Sequence, residues 1–206
     1  MYVPPAFAAD DPVVLEAMLG RAGLAILVTH GSAGLFASHL PILREGGSFT
    51  GHLARGNPHR ERAADGEALL IFPGPEAYIS PSWYPSKAEH GRAVPTWDYE
   101  AIHVYGVLSW FDDREGLLDV VARLSDAHEQ GRPQPWSTAE APDDYIERLL
   151  GAIVGLRLQP TRVEAKRKLS QTRKAADRDG VIAGLDGEAT PGAAAIAELT
   201  RTDVPA

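Results

Sequence analysis

Apolar positions along this chain of 206 residues recur with two periods. Behind Asp10-Asp11-Pro12, residues Val14, Leu15, Met18 and Leu19 share one face of a 3.6-residue repeat. That predicts a helix capped by an aspartate, opened by Pro12 at its first position and closed between Gly20 and Gly23. The branched apolar run at 24–29 predicts a buried strand, 30–34 a turn, and 35–43 the return strand of a hairpin. After a turn at Gly46-Gly47, residues 48–54 alternate, with Phe49, Gly51 and Leu53 set against Thr50, His52 and Ala54. Asn57-Pro58 predicts the cap of a short helix running to about Ala64. Residues 67–72 and 77–80 read as strands separated by Pro73-Gly74-Pro75, and 99–111 as a long strand with Ile102, Val104, Gly106 and Leu108 on one face.

The period then changes. Asp112-Asp113 caps a predicted helix over about 114–130, with Leu117, Leu118, Val121, Leu124 and Ser125 as its stripe and Gly131 and Pro133 as its end. A second helix is expected over 142–150 with Ile146, Leu149 and Leu150 inward. Two strands follow at 152–159 and 161–168, then a helix over 173–185 that Gly180 weakens. Turn-linked strands, then helices, then strands again predict an α+β fold: an antiparallel barrel with flanking helices, one domain over 1–185. From 186 the chain is rich in Ala, Gly and Thr and reads as a mobile tail to 206, with Thr190-Pro191 able to cap a short exposed helix.

Composition removes several classes of function. There is no cysteine, so no disulfide, thiolate metal site or cysteine nucleophile is available, which fits a reducing cytoplasm. No apolar run reaches the length of a membrane span, and M-Y-V-P-P-A-F lacks the basic and apolar regions of a secretory leader. A formal net charge of −8 argues against a broad phosphate-backbone surface for DNA, although Arg157, Arg162, Lys166, Arg167, Lys168, Arg173 and Lys174 fall close together. DNA thus remains a partner that the charge does not support. His30, His39, His52 and His103 form no tight pair at helical spacing and no H-E-x-x-H, so no metal site is expected. No G-x-S-x-G elbow marks a nucleophilic serine.

The stretch from Tyr78 to Gly106 is the densest in candidate chemistry. It gathers Trp83, Trp97, Lys87, His90, His103 and four tyrosines, and Pro81, Pro85 and Pro95 stiffen it into a segment expected to be non-helical. Such a loop suits a flat, conjugated, anionic ligand, or else simply closes a barrel end with amphipathic aromatics. In G-H-L-A-R-G-N-P, His52 and Ala54 share a strand face, Arg55 follows, and Asn57 opens a helix. A guanidinium beside free helix N–H groups is a phosphate receptor; otherwise Arg55 is a surface ion pair and Asn57 only a cap.

P-S-W-Y-P-S-K at 81–87, V-P-T-W-D-Y at 94–99 and I-H-V-Y-G at 102–106 resemble the PaiB-type family of FMN-binding negative transcriptional regulators. So do T-H-G at 29–31, A-S-H-L-P at 37–41, G-H-L-A-R-G-N-P at 51–58 and K-L-S-Q-T-R at 168–173, all in order over residues 1–185. The resemblance implies a split β-barrel, FMN as cofactor, and a cytoplasmic homodimer with shared flavin sites. The cofactor-binding residues it points to are His39, Pro41, His52, Ala54, Arg55, Asn57, Trp83, Lys87, Trp97, His103, Lys168, Ser170, Gln171 and Arg173. Arg60, Asp98, Arg167 and Thr172 depart from the family pattern. A flavin-dependent oxidoreductase and a haem-binding or haem-degrading protein on the same barrel are the alternatives.

Overall fold

The computed structural model describes residues 1–63 and 66–202, and the chain divides into two compact units. The barrel unit comprises Gly23–Phe72 and His103–Val163; the terminal unit comprises Met1–Ala22, Pro73–Ile102 and the chain from Glu164. In chain order the elements are α1 (Pro12–Arg21), β1 (Ala25–Gly31), β2 (Gly34–Leu40), β3 (Ile42–Glu45), β4 (Ser48–Ala54), α2 (His59–Arg62) and β5 (Glu67–Ile79). They continue with α3 (Ser86–His90), β6 (Thr96–Phe111), α4 (Arg114–Glu129), α5 (Asp143–Leu150), β7 (Ile153–Lys168), α6 (Ala175–Asp186) and α7 (Pro191–Thr202). The unit boundaries fall inside β5, β6 and β7, where composition does not change, so the sequence shows no linker there.

Seven strands form one sheet in the order β2-β1-β5-β6-β7-β4-β3. The fold is α+β, an antiparallel split barrel that does not close. Its two edge strands, β2 and β3, are consecutive in sequence and joined by Pro41 alone, so the sheet of the barrel unit has to curl to bring its edges together. Here the expected strand over 35–43 is two strands: Pro41 has no N–H to donate, and the chain changes edge at that residue.

Proline explains two further corrections. The two strands expected around Pro73-Gly74-Pro75 are the single strand β5, and the two expected around Pro160 are the single strand β7. The β1–β5 register pairs Ile26 with Ile71, which places Ala25, the first residue of β1, opposite Phe72. Pro73 and Pro75 therefore lie beyond the end of β1. Likewise Phe49 pairs with Leu158, Ser48 falls opposite Gln159, and Pro160 lies beyond the end of β4. Each strand carries its prolines where one neighbour has ended, so no ladder bond is lost on that flank.

Leu27, Leu40, Phe49, Leu53, Leu70, Phe72, Val104, Leu156 and Leu158 are buried in the barrel unit. Helix α4, capped by Asp113 through the Gly116 N–H, packs on β3 and β4 and buries Leu117, Val120 and Leu124. On α5 only Leu150 is buried; Leu149, expected inward, is 45% exposed.

The terminal unit has a second core of Ala77, Ile79, Tyr84, Leu169, Val181, Leu185, Ala193, Ile196 and Ala197, with Trp83 packed against it. The segment expected to be non-helical contains a 3-10 turn at Pro81–Trp83 and the helix α3, because proline suits a first helical turn as well as an extended chain. Where a mobile tail was expected from 186, helix α7 is held by the hydroxyl of Thr190, which accepts from the Ala193 N–H, and by burial of Ala193, Ile196 and Ala197. Small residues in that stretch permit close packing rather than looseness. Residues 203–206 of the expected tail lie outside the described residues.

Candidate functional site

In the barrel unit β4 delivers Arg55 to an exposed corner. Its Nε donates to the Gly151 carbonyl at 3.0 Å, and its guanidinium lies 3.7 Å from the carboxylate of Asp112. Arg60, on the short helix α2, reaches the same Asp112 oxygen at 3.3 Å. Two guanidiniums thus share one carboxylate, leaving one net positive charge, and all three side chains are about half exposed. An anion with two or three oxygens satisfies such a pair better than one exposed carboxylate does. Arg62 stacks over Phe36 at 4.9 Å and is the second guanidinium of the same short helix.

Behind this corner lies a neutral network. His59 is fully buried. Its Nε2 is 3.0 Å from Thr29 Oγ1 and its Nδ1 is 2.9 Å from Ser38 Oγ. Asn57 donates through Nδ2 to Ser38 Oγ at 3.1 Å, and its Oδ1 accepts from the His59 N–H. Burial pushes the His59 imidazole below the usual histidine range, so one ring nitrogen donates and the other accepts. Asn57 was expected to cap a helix running to about Ala64. It instead ties α2, which spans four residues and starts from Pro58, to β2; Ala64 lies outside the described residues.

In the terminal unit β6 turns Asp98 and Glu100 toward the interior, in phase with Ile102. Lys168 Nζ donates to Thr96 Oγ1 at 2.7 Å, to Asp98 Oδ1 at 3.2 Å and to the Trp97 carbonyl. Ser170 has a positive φ of 57° and donates to Asp98 Oδ2 at 2.6 Å. Desolvation raises the Asp98 pKa, opposed by the bonds from Ser170 and Lys168. Glu100 accepts from Arg167 Nε at 3.0 Å and from Arg21 at 2.7 Å. Phe7, Thr96, Asp98, Lys168, Ser170 and Arg173 border a cleft of about 160 Å³. That is smaller than the roughly 300–1,000 Å³ of ordinary ligand pockets, so it admits a ring edge or a small anion rather than a whole flavin.

The expected site residues are divided between the units. His39, Pro41, His52, Ala54, Arg55, Asn57 and His103 belong to the barrel unit; Trp83, Lys87, Trp97, Lys168, Ser170, Gln171 and Arg173 to the terminal unit. His39 and Ala54 are exposed, and His103 packs beside Tyr105. His52 and Pro41 line a hollow under α4. Trp83 lies over α6, where a Cβ on Gly180 or Gly184 would collide with its carbonyl or its ring. Lys87 reaches Ser82 at 3.3 Å, and Trp97 is half exposed, edge-on to Tyr78. Gln171 braces its own loop through Leu169 N–H and the Arg167 carbonyl. Arg173 sits 4.5 Å over the Tyr84 ring.

The residues missed were His59, Ser38, Asp112 and Glu100, along with the pairing role of Arg60. Period two along β6 was the available signal for Asp98 and Glu100, had the strand been started at Thr96 instead of Tyr99. Most of the basic cluster is already engaged: Arg157 lies over Phe111, Arg162 over Tyr105, Lys166 over Tyr99, and Arg167 and Lys168 are paired with carboxylates.

A family profile described as "Putative FMN-binding domain" matches residues 1–162. "Protease synthase and sporulation protein PAI 2" of Bacillus subtilis is 32% identical over 204 residues, covering 97% of this chain and 96% of that protein. Among solved structures, the FAD and haem binding protein from Mycobacterium smegmatis superposes with a TM-score of 0.58 at 19% identity, over 85% of this chain and 79% of that one. The flavocytochrome Anf3 from Azotobacter vinelandii gives 0.57 at 14% identity, over 79% and 69%. At these identities the two structures bear on the fold alone. No helix among the described residues is long and apolar enough to cross a membrane.

Proposed function

This chain belongs to the PaiB-type FMN-binding family, and we propose that it is a cytoplasmic, homodimeric regulator that takes its flavin as FMN. The observation that carries the FMN assignment is the convergence of Arg55 and Arg60 on Asp112, a receptor with more cation than anion. A phosphate there accepts bonds from both guanidiniums, and the Asn57–Ser38–His59 network holds the chain between them. The donor set fits a dianionic group and has no counterpart for an uncharged ribityl end. The bound flavin would supply a redox-active, light-absorbing ring; the protein side supplies phosphate recognition at Arg55 and Arg60. A test is titration with FMN and riboflavin in parallel, following flavin fluorescence. Arg55→Ala is expected to weaken FMN about ten- to hundredfold, the loss of a charge-assisted contact, and to leave riboflavin unchanged. Equal affinity for the two flavins in the unaltered protein would refute the phosphate assignment.

The dimer is proposed from two features of the terminal unit. Its cleft beside Asp98 and Lys168 is too small for a flavin ring system, and Tyr78 and Trp97 present an aromatic pair to solvent. A two-fold partner that buries this pair and deepens the cleft accounts for both. When Arg55→Ala chains are mixed with Lys168→Ala chains, each heterodimer is expected to regain one site in two; light scattering near 22.1 kDa with full FMN binding would exclude the shared site.

The regulatory role rests on the family alone. With a net charge of −8 and its basic cluster spent on rings and carboxylates, the surface favours regulation that does not run through broad contacts to the DNA backbone. Specific retention of a promoter fragment in a gel shift at physiological salt, with a steep salt slope, would overturn that.

A further inference from the structure

Helix α4 and strand β4 border an open hollow of about 290 Å³ lined by Pro41, His52, Leu124, His128, Glu129 and Trp136. The loop after α4 forms one of its sides. Gly131, at φ 89°, reverses the chain, and Glu129 then accepts from the Trp136 N–H at 3.1 Å while pairing with Arg132 at 3.3 Å. The Trp136 ring lines the hollow and stays 41% exposed. This fastening does nothing for the core of the barrel unit, since Trp136 and His128 are not part of it.

His52 is the polar group of the hollow that lacks a use. Its Nδ1 is buried with no hydrogen-bond partner among the described residues, and burial keeps the ring neutral by lowering its pKa. An orphaned lone pair is tolerated in an interior more readily than an orphaned N–H. The proton therefore belongs on Nε2, and the ring meets the hollow through that edge, since Nδ1 is shut away. The hollow offers the inner His52 Nε2–H beside the exposed His128 imidazole, an aromatic plate in Trp136 and aliphatic walls from Pro41 and Leu124. Its one carboxylate, Glu129, is already paired with Arg132, so the lining favours an uncharged guest.

We propose that this hollow is a binding site for an uncharged, planar aromatic molecule that carries one ring-nitrogen or carbonyl acceptor. The acceptor bonds His52 Nε2–H and the ring stacks on Trp136. The site is separate from the Arg55–Arg60 receptor, whose chemistry selects an anion, and it does not rest on the flavin reading.

The probe is quinoline, a neutral bicyclic ring with one acceptor. It is titrated into the protein as purified, with whatever flavin it carries, while the imidazole nitrogens of His52 and the indole N–H of Trp136 are followed by NMR. Saturable shifts at both residues are expected. Binding should weaken about tenfold or more in His52→Phe, which keeps a ring but removes the donor, and in Trp136→Ala, whose side chain lies at the surface. Trp136→Ala should bind FMN as the parent does. The proposal is overturned by the absence of saturable shifts up to about 2 mM quinoline. Unchanged affinity in His52→Phe also overturns it, as does release of flavin in step with quinoline binding, which would make the hollow part of the flavin site.

Discussion

In the terminal unit one face of β6 buries two carboxylates, Asp98 and Glu100, met by Lys168, Arg167 and Arg21. In the barrel unit the buried group is a neutral imidazole, His59, met by the hydroxyls of Thr29 and Ser38. Both clusters join strands to the segments that follow them, yet they handle desolvation differently. A buried carboxylate needs several partners: Asp98 has a cation and a hydroxyl, and its pKa is raised all the same. A buried imidazole escapes the same difficulty by staying neutral, and two hydroxyls then satisfy it completely. The charged cluster is the stiffer of the two to alter, because removing Lys168 strands the buried Asp98 carboxylate, whereas removing His59 strands only a hydroxyl.

The largest expected effect follows directly. Lys168→Met should destabilise the protein by about 3–5 kcal/mol at neutral pH, the range for leaving one member of a buried pair without its partner. Urea unfolding checks this. Repeating it in acid sharpens the comparison, since protonation of Asp98 should shrink the penalty; an unchanged penalty would show that the ion pair is not the source. Next comes His59→Phe, which keeps a ring but leaves Thr29 Oγ1 without its partner and Ser38 with Asn57 alone. A loss of about 1–3 kcal/mol is expected. A loss as large as that of Lys168→Met would break the contrast between the clusters.

The pH dependence of stability should carry opposite signs for the two. His59 has a folded pKa below its unfolded value near 6.5, so the unfolded chain binds the extra proton and stability falls as pH drops from about 6.5 through the folded pKa. His52 adds to the same slope. Asp98 has a folded pKa above its unfolded value, so the folded chain holds the extra proton and stability rises as pH falls through the folded pKa toward the unfolded one. Thermal melts across pH 4–8 of His59→Gln and Asp98→Asn should each lose one of these slopes. The smallest effect is Asp98→Asn at neutral pH. Lys168 is 20% exposed and retains Thr96 and the Trp97 carbonyl, while the amide removes the desolvation cost of the Asp98 carboxylate, so a change within about 1 kcal/mol is expected.

Local chemistry was legible where it is decided locally. Asp11 caps α1 through the N–H groups of Val13 and Val14, Asp113 caps α4, and β4 covers the residues that its alternation marks. The barrel class followed from the same periodicities, since a strand or helix announces its buried face by its repeat. The order and identity of the seven motifs were enough for the family. What the chain did not announce is what depends on partners distant in sequence. Pro73, Pro75 and Pro160 read as strand breakers because proline removes a donor, and only the lengths of β1 and β4 show that no donor was needed there. Gly180 reads as a weak point of α6, but Trp83 occupies the space a side chain would take.

The candidate site divides along the same line. Arg55 and Asn57 were visible as residue types suited to an anion, and Lys168, Ser170 and Arg173 as donors. Their use is set by residues up to 96 positions away: Arg55 by Gly151, Lys168 by Asp98, and Arg60 by Asp112. Sequence alone determined the cap positions, the strand faces, the absence of thiol chemistry and the family. The tertiary structure decided which carboxylates and imidazoles are buried, and with which partners. Desolvation and hydrogen bonding act over a few ångströms in space, and no spacing along the chain encodes those distances.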